Sequence, residues 1–149
     1  MRFLIACFAI LFTSAASAAE TPEQFFERFV NLGHRFDPAV IDLYRDTASI
    51  QMYRRYPHGL ERATEMSGVE WKSLIRKMMP LAKEKDDRSI YTNVKVSSAG
   101  AKVKITADRY VVRKCYTDNG YYLVIEQQPN GQYGVVEEHF VTEPRPDCR

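Results

Sequence analysis

The sequence predicts an α+β domain in which helices come first and a mostly antiparallel sheet forms the second half. Apolar residues recur at helical spacing in residues 21–44 and again in residues 67–79. Residues 89–142 instead alternate apolar and polar side chains between short turn signals. Residues 20–149 have the size of one domain with its own core, and they contain no repeats or linkers.

The first helix is predicted to begin at Thr21, which can cap it. Pro22 fits the first helical position, and Gln24 completes a capping box. The apolar face of this helix is formed by Phe25, Phe26, Phe29, Val30, Leu32, Gly33 and Phe36. Asp37 and Pro38 then start a short second helix that is expected to run through Tyr44.

A strand hairpin and the main amphipathic helix are predicted next. The strands are Ser49–Tyr56 and Leu60–Met66, with a turn at Pro57-His58-Gly59. Ser67 and Glu70 form a second capping box. The core face of the helix that follows is predicted to carry Trp71, Leu74, Ile75 and Met78. Pro80 either ends this helix or kinks it.

Four strands joined by tight turns are predicted for the rest of the chain: Ser89–Ser97, Ala101–Tyr116, Tyr121–Gln128 and Gln132–Thr142. The first is predicted to carry Ile90, Thr92, Val94 and Val96 on one face. The second is followed by a turn at Asp118-Asn119-Gly120. Its alternation changes phase at Arg109, which predicts either a β-bulge or a strand that is buried on both faces.

The N-terminal segment has the three regions of a signal peptide. Arg2 gives a positive start, Phe3–Phe12 is uninterruptedly apolar, and small residues follow. We therefore expect residues 1–19 to be removed, with cleavage after Ala18 or Ala19, and the mature domain to be periplasmic or secreted. The apolar run is too short to span a bilayer, so no membrane span is expected after cleavage.

Removal of the signal would leave two cysteines and an almost neutral chain. Cys115 and Cys148 are an even number in an oxidising compartment, which predicts a disulfide. The mature chain would carry 20 basic and 19 acidic residues, and no basic stripe is visible. This balance argues against nucleic acid as a partner.

The order of elements resembles that of the nuclear transport factor 2-like superfamily, which includes ketosteroid isomerases and polyketide cyclases. Residues Phe36–Tyr44 are similar to the second helix of that superfamily, and Asn130–Phe140 looks like its closing strand. The resemblance implies a curved sheet wrapped around about three N-terminal helices into a cystatin-like cone, with a pocket at the open end. The superfamily hosts enzymes, ligand binders and interaction modules, so the resemblance does not fix the function.

The resemblance also implies a geometry for the cysteines. Strands that end at Tyr116 and Thr142 would run parallel with one strand between them, about 9.6 Å apart. Residues 143–147 can span up to about 17 Å, which is enough to bring Cys148 back to Cys115.

Catalytic candidates are few. Ketosteroid isomerase-like enzymes place a carboxylate base on the first strand. A tyrosine from the first helix and an acid from a later strand lie opposite it. Here the first helix has no tyrosine, Ile50–Tyr56 has no acid, and only Asp108 could stand near the second acid. Glu137 and His139 share one face of the last strand, about 7 Å apart, and could form an acid/base pair or serve a structural role.

The residues expected to line a ligand pocket are His34, Tyr44, Tyr53, Trp71 and Tyr110. The three histidines lack the spacing of a metal site, so neither a metal nor another cofactor is expected. Several strand arginines could bind an anionic ligand, but cross-strand ion pairs are the favoured interpretation: Arg54, Arg62, Arg109 and Arg113.

The leading functional prediction is an exported, non-catalytic binding module. It would hold a small apolar or amphipathic ligand in its cone or a protein partner on its sheet, and its many tyrosines make a homodimer through the sheet plausible. The alternatives are a cofactor-independent lyase or isomerase of the ketosteroid isomerase type, and an envelope interaction or immunity-type protein.

Overall fold

The computed structural model describes residues 19–148, and it confirms the α+β class. The predicted signal peptide therefore lies outside the described residues, except for Ala19. The elements are α1 (Pro22–His34), a 3-10 helix (Pro38–Leu43), β1 (Tyr44–Arg55), β2 (Glu61–Ser67), α2 (Gly68–Glu84), β3 (Ser89–Ala99), β4 (Lys102–Val111), β5 (Tyr116–Gln127) and β6 (Tyr133–Thr142).

The six strands form one open sheet in the order β2-β1-β6-β5-β4-β3. β1 runs parallel to β6, and the other neighbours are antiparallel. The pairing register shifts within the β1/β6, β3/β4, β4/β5 and β5/β6 pairs. Such irregularities bend and twist a sheet, so this one can curve around the helices on its inner face.

The helices begin as predicted and supply one side of the core. Thr21 and Gln24 form the first capping box, and Ser67 and Glu70 form the second. α1 buries Phe25, Phe26, Phe29 and Leu32 against strand residues that include Ile50, Ile105, Leu123, Ile125 and Val135. The side chain of Asp37 caps the 3-10 helix by accepting from Ala39 N.

The connection between β4 and β5 differs from the prediction. Val112–Cys115 form the turn, and Asp118-Asn119-Gly120 lies inside β5. Asp118 is only 3% exposed, and its carboxylate accepts from the backbone N–H groups of Gly120 and Val141. The Asp-Asn-Gly sequence therefore forms a bulge within β5, in which Asp118 is buried while Asn119 and Gly120 are exposed. The phase change predicted at Arg109 is confirmed by the register shift between Ala107 and Arg109.

The predicted faces of α2 and β3 also differ from those in the structure. On α2 the side chains packed against the core are Trp71, Ile75 and Met79, whereas Leu74 and Met78 are 37% and 48% exposed. On β3, Ile90 and Val94 are exposed while Tyr91 and Val96 pack inward. A bulge near Asn93, whose φ is 53°, reverses the alternation of that strand.

Helix α2 runs through Pro80 to Glu84, so the proline does not end the helix. β1 begins at Tyr44, five residues before the predicted start, so Tyr44 lies on a strand and not on the short helix.

Cys115 and Cys148 form a disulfide, with 6.0 Å between their Cα atoms. The bond holds the C-terminal segment against the β4–β5 turn, where Cys148 N also donates to Arg113 O and the Arg113 side chain pairs with Asp147. Within residues 19–148, no helix is long and apolar enough to cross a membrane.

Candidate functional site

The inner face of the sheet carries a buried carboxylate held by two tyrosines. Glu138 on β6 accepts a hydrogen bond of 2.6 Å from the Tyr44 hydroxyl and one of 3.1 Å from the Tyr121 hydroxyl. All three side chains are almost fully buried, at 5%, 4% and 1% exposure respectively. Each carboxylate oxygen therefore already has a protein donor.

Strand alternation and one bulge bring these groups together. Glu138 and Phe140 alternate with Glu137 and His139 on β6, so only the first pair faces inward. The register shift between β4 and β5 turns Tyr121 to the same face, and Tyr44 opens β1 directly after the 3-10 helix.

Burial sets the protonation of this cluster. Loss of solvent raises the pKa of the Glu138 carboxyl above its usual 4.5, and the hydrogen bonds from Tyr44 and Tyr121 oppose part of that shift. Burial and the nearby Glu138 also raise the pKa of Tyr44 and Tyr121 well above 10, so both phenols remain donors. The carboxyl holds its proton to a higher pH than an exposed glutamate does.

A second buried polar group lies beside this cluster. Arg109 extends inward from β4, donates 2.6 Å to Val141 O, and lies 3.6 Å from the Asp118 carboxylate. Its guanidinium also lies 5.2 Å from the centre of the Phe140 ring. Two buried donors in this region lack a hydrogen-bond partner: Arg109 Nε and Trp71 Nε1.

Of the residues predicted to line the pocket, the structure brings Tyr44 and Trp71 together on the inner face. Their ring centres are 6.4 Å apart, and Trp71 also packs on Phe140. Tyr53 lies on the outer face of the sheet against His139. His34 lies at the end of α1, with Nε2 2.7 Å from Ser89 O. Tyr110 is half-buried and pairs across the sheet with Ile90 and Thr117.

The predicted acid/base pair lies on the outer face of the sheet. Glu137 accepts a 2.6 Å hydrogen bond from the Tyr122 hydroxyl, and partial burial together with this bond raises the pKa of Tyr122 to about 12. The His139 ring stacks on Tyr122 and lies 4.9 Å from the ring centre of Tyr53. Lys104 Nζ lies 3.8 Å from the centre of the Tyr122 ring. The homodimer expected through this face stays a prediction.

Asp108 is the third predicted catalytic residue, and it lies near the sheet surface. Its carboxylate accepts from the side-chain amides of Asn93 and Asn119, and these bonds lower its pKa. Its hydrogen bonds connect β3 and β5 across β4. Of the four arginines predicted on strands, Arg109 forms a cross-strand ion pair with Asp118, but on the buried inner face. Arg113 lies in the β4–β5 turn and pairs with Asp147, and Arg54 and Arg62 lie over the Tyr56 ring.

An open apolar groove lies between the 3-10 helix and α2. It has a volume of about 310 Å³ and is lined by Phe36, Pro38, Ile41, Ile75, Arg76, Met79, Pro80 and Lys83. Ile41 and Ile75 form part of its floor because both also pack on the core. Arg76 and Lys83 are the charged residues of the lining.

Phe36 reaches the groove from a strained backbone position. The end of α1 closes with Asp37 N donating to Leu32 O and Phe36 N donating to Gly33 O, which is a Schellman motif. That motif places Phe36 at a φ of 53°, where glycine is the usual residue. A phenylalanine at this position costs backbone energy but contributes its ring to the groove.

Sequence reasoning missed Glu138 and the groove for different reasons. Glu138 shares its strand face with Phe140, and that alternation was visible in the sequence. The groove depends on which flank of α2 meets the 3-10 helix, and helical spacing alone does not determine that. A helical wheel would nevertheless have placed Arg76, Met79 and Lys83 on one side of α2. Within residues 19–148 no cluster of three metal-ligating side chains occurs.

Comparison with solved structures identifies the fold. A protein of unknown function from Shewanella oneidensis MR-1, described as NTF-2 like, has a TM-score of 0.59 at 14% identity and covers 80% of this chain and 95% of its own. An NTF2-like protein with a cystatin-like fold from Novosphingobium aromaticivorans has a TM-score of 0.56 at 11% identity, covering 79% and 77%. This chain therefore has the nuclear transport factor 2-like, cystatin-like fold that the sequence resemblance implied.

One further match has an enzyme's name. A candidate ketosteroid isomerase from Parabacteroides distasonis ATCC 8503 has a TM-score of 0.55 at 15% identity and covers 88% of this chain and 92% of its own. No protein-family model matches the sequence, and no curated protein matches it. At these identities the likeness shows the fold alone.

Proposed function

We propose that this protein is an exported, non-catalytic binding module that holds a small amphipathic molecule in the groove between the 3-10 helix and α2. The observation that carries the proposal is the groove itself: an open apolar cleft with Phe36, Ile41, Ile75 and Met79 in its walls. Its volume of about 310 Å³ lies at the lower end of the range for small-molecule sites.

The groove is better suited to a ligand than the inner face of the sheet. Around Glu138 the polar groups are buried and bonded to one another, and Phe25, Tyr121, Ile105 and Leu123 fill the space at 0–1% exposure. A ligand there would have to displace core side chains. In the groove, it would cover surface that already faces solvent.

The expected affinity follows from the apolar surface. Each buried methylene contributes about 0.8 kcal/mol, so six methylenes contribute about 5 kcal/mol before the cost of association. A short apolar chain alone would bind weakly, so polar contacts at the rim are needed for useful affinity.

Native mass spectrometry of the protein purified from its own periplasm would test whether a small molecule accompanies it. Titration with amphipathic compounds provides a second test because Trp71 is the only tryptophan and precedes Ile75 by one helical turn. We expect its fluorescence to change on binding.

The matched pair Met79→Glu and Met78→Glu tests the position of the site. Met79 lines the groove, whereas Met78 is on the same helix outside it and is 48% exposed. We expect M79E to abolish binding because it buries a charge under the ligand, and M78E to leave it unchanged. Equal effects of the two substitutions would contradict a site in the groove.

Export is part of the proposal. It is supported by the tripartite pattern of residues 1–19 and by the disulfide between Cys115 and Cys148, which persists in oxidising compartments. A fusion of residues 1–25 to alkaline phosphatase should be active in the periplasm. An inactive fusion would refute export through this segment.

Acid/base catalysis at Glu138 is the second candidate. It is favoured by the raised pKa of that carboxyl and by its two tyrosine donors, which are features of catalytic carboxyl groups. A survey of Δ5-3-ketosteroids and related ketones with wild type and Glu138→Gln would test it. Turnover by wild type that the variant lacks would replace the binding proposal.

A further inference from the structure

Building on the proposed function, we infer that the groove binds single-chain aliphatic carboxylates, with the carboxylate bound by Arg76, Lys83 as a second positive charge at the rim, and the chain lying over Ile75 and Met79. The inference rests on the juxtaposition of two cationic side chains with one apolar floor on the same flank of α2.

The two cations lie on the same flank of α2 as the apolar floor of the groove. Arg76 and Lys83 are seven residues apart, which corresponds to two helical turns and about 10.5 Å along the axis. Met79 lies within that interval, Ile75 lies one residue before Arg76, and both line the groove. An extended chain of about eight carbons matches the interval, so its headgroup can meet one cation while its chain remains on the apolar floor.

Neither cation has an acidic partner among the described residues. The ion pairs within 4.0 Å formed by residues 19–148 include neither Arg76 nor Lys83. Of the nearby acids in the sequence, Asp37 is paired with Arg35 and Asp86 with Arg88. The rim of the groove therefore has net positive charge available to an anionic ligand.

The chemistry of the rim favours a carboxylate. Arg76 can bind a carboxylate through two parallel N–H donors, and Lys83 adds a second positive charge. A cationic amphiphile would be repelled, and a neutral alcohol would gain only the apolar contact.

Binding of octanoate and octan-1-ol, measured by Trp71 fluorescence below their aggregation concentrations, tests the inference. We expect wild type to bind octanoate about three- to tenfold more tightly than octan-1-ol, which is the effect of one or two partly exposed charge contacts. Raising NaCl from 20 to 500 mM should remove most of that difference and leave the alcohol unaffected.

The double variant Arg76→Gln/Lys83→Gln should weaken octanoate to the level of the alcohol and leave alcohol binding unchanged. Lys77→Gln is the matched control because Lys77 is exposed on the same helix and does not line the groove. All three positions are exposed, and circular dichroism would verify that the variants remain folded.

The outcomes separate the inference from the proposed function. If wild type binds both compounds equally and M79E abolishes both, the groove is a binding site but carboxylate selection is wrong. If K77Q weakens octanoate as much as the double variant does, general surface charge explains the effect and the inference is overturned. If neither compound binds wild type, both the inference and a groove for such ligands are refuted.

Discussion

Replacement of Glu138 by glutamine should make the protein more stable than wild type at neutral pH but not in acid. Glutamine keeps the size of the side chain and an acceptor oxygen for one tyrosine, but it cannot ionise. In wild type, burial raises the pKa of the Glu138 carboxyl, so the folded state resists deprotonation. Ionisation in the folded protein must then be compensated by Tyr44, Tyr121 and Arg109.

The sign and size of this difference in stability follow from proton linkage. The folded state binds a proton at Glu138 that the unfolded chain has already lost, so the free energy of unfolding falls as pH rises. The stabilisation from this bound proton is fully present below about pH 4.5, the usual pKa of glutamate. It is lost as the pH rises through the raised pKa of Glu138 in the folded protein. Within that window the wild type should lose up to about 1.4 kcal/mol per pH unit relative to E138Q.

Urea denaturation between pH 4 and pH 8, followed by Trp71 fluorescence with the disulfide intact, would measure this difference. Subtracting the two profiles removes the contributions of the exposed acids, which are the same in both proteins. Tyr121→Phe provides a second check, because loss of a donor to the carboxylate should move the window to higher pH. A pH-independent difference between wild type and E138Q would refute the assigned burial of this carboxyl.

Three other substitutions test separate features of the fold. Cys148→Ser opens a loop of about 34 residues and should cost about 3–4 kcal/mol in urea denaturation under oxidising conditions, whereas the same variant under reducing conditions should equal reduced wild type. Gly68→Ala would place a Cβ 1.9 Å from Arg45 O and should cost at least about 2 kcal/mol by thermal denaturation, while Gly33→Ala, which meets nothing within 4 Å, should be neutral or stabilising. Phe36→Gly should leave stability within about 1 kcal/mol of wild type, because glycine favours the φ of 53°, and should weaken octanoate binding by removing one groove wall.

The parts of the fold that could be predicted from sequence are those set by local chemistry. Both capping boxes, the proline at the start of α1 and the turn at Pro129–Gly131 act within a few residues, and the structure contains all of them. The prediction of a turn at Asp118–Gly120 is wrong because the Asp118 side chain makes a long-range hydrogen bond. Asp118 binds Val141 N on the neighbouring strand, and a local pattern cannot indicate such a partner.

The faces of α2 and β3 could not be predicted for a related reason. Leu74 and Met78 fit an amphipathic stripe as well as Met79 does, and the choice between them depends on where the 3-10 helix packs. On β3, the bulge at Asn93 reverses which residues face inward. The alternation of apolar and polar residues before Asn93 does not indicate this bulge. Tertiary packing determined both outcomes.

The choice of the groove as the proposed site follows from how the polar groups of the described residues are satisfied. On the inner face, both oxygens of Glu138 and both oxygens of Asp118 already accept a hydrogen bond from the protein. The unpartnered atoms there are donors that are closed off from solvent. On the flank of α2 the situation is reversed, because Arg76 and Lys83 are exposed, unpaired and adjacent to apolar surface. A ligand gains most where the protein has left charge and apolar area uncompensated but accessible, and among the described residues the groove combines these properties.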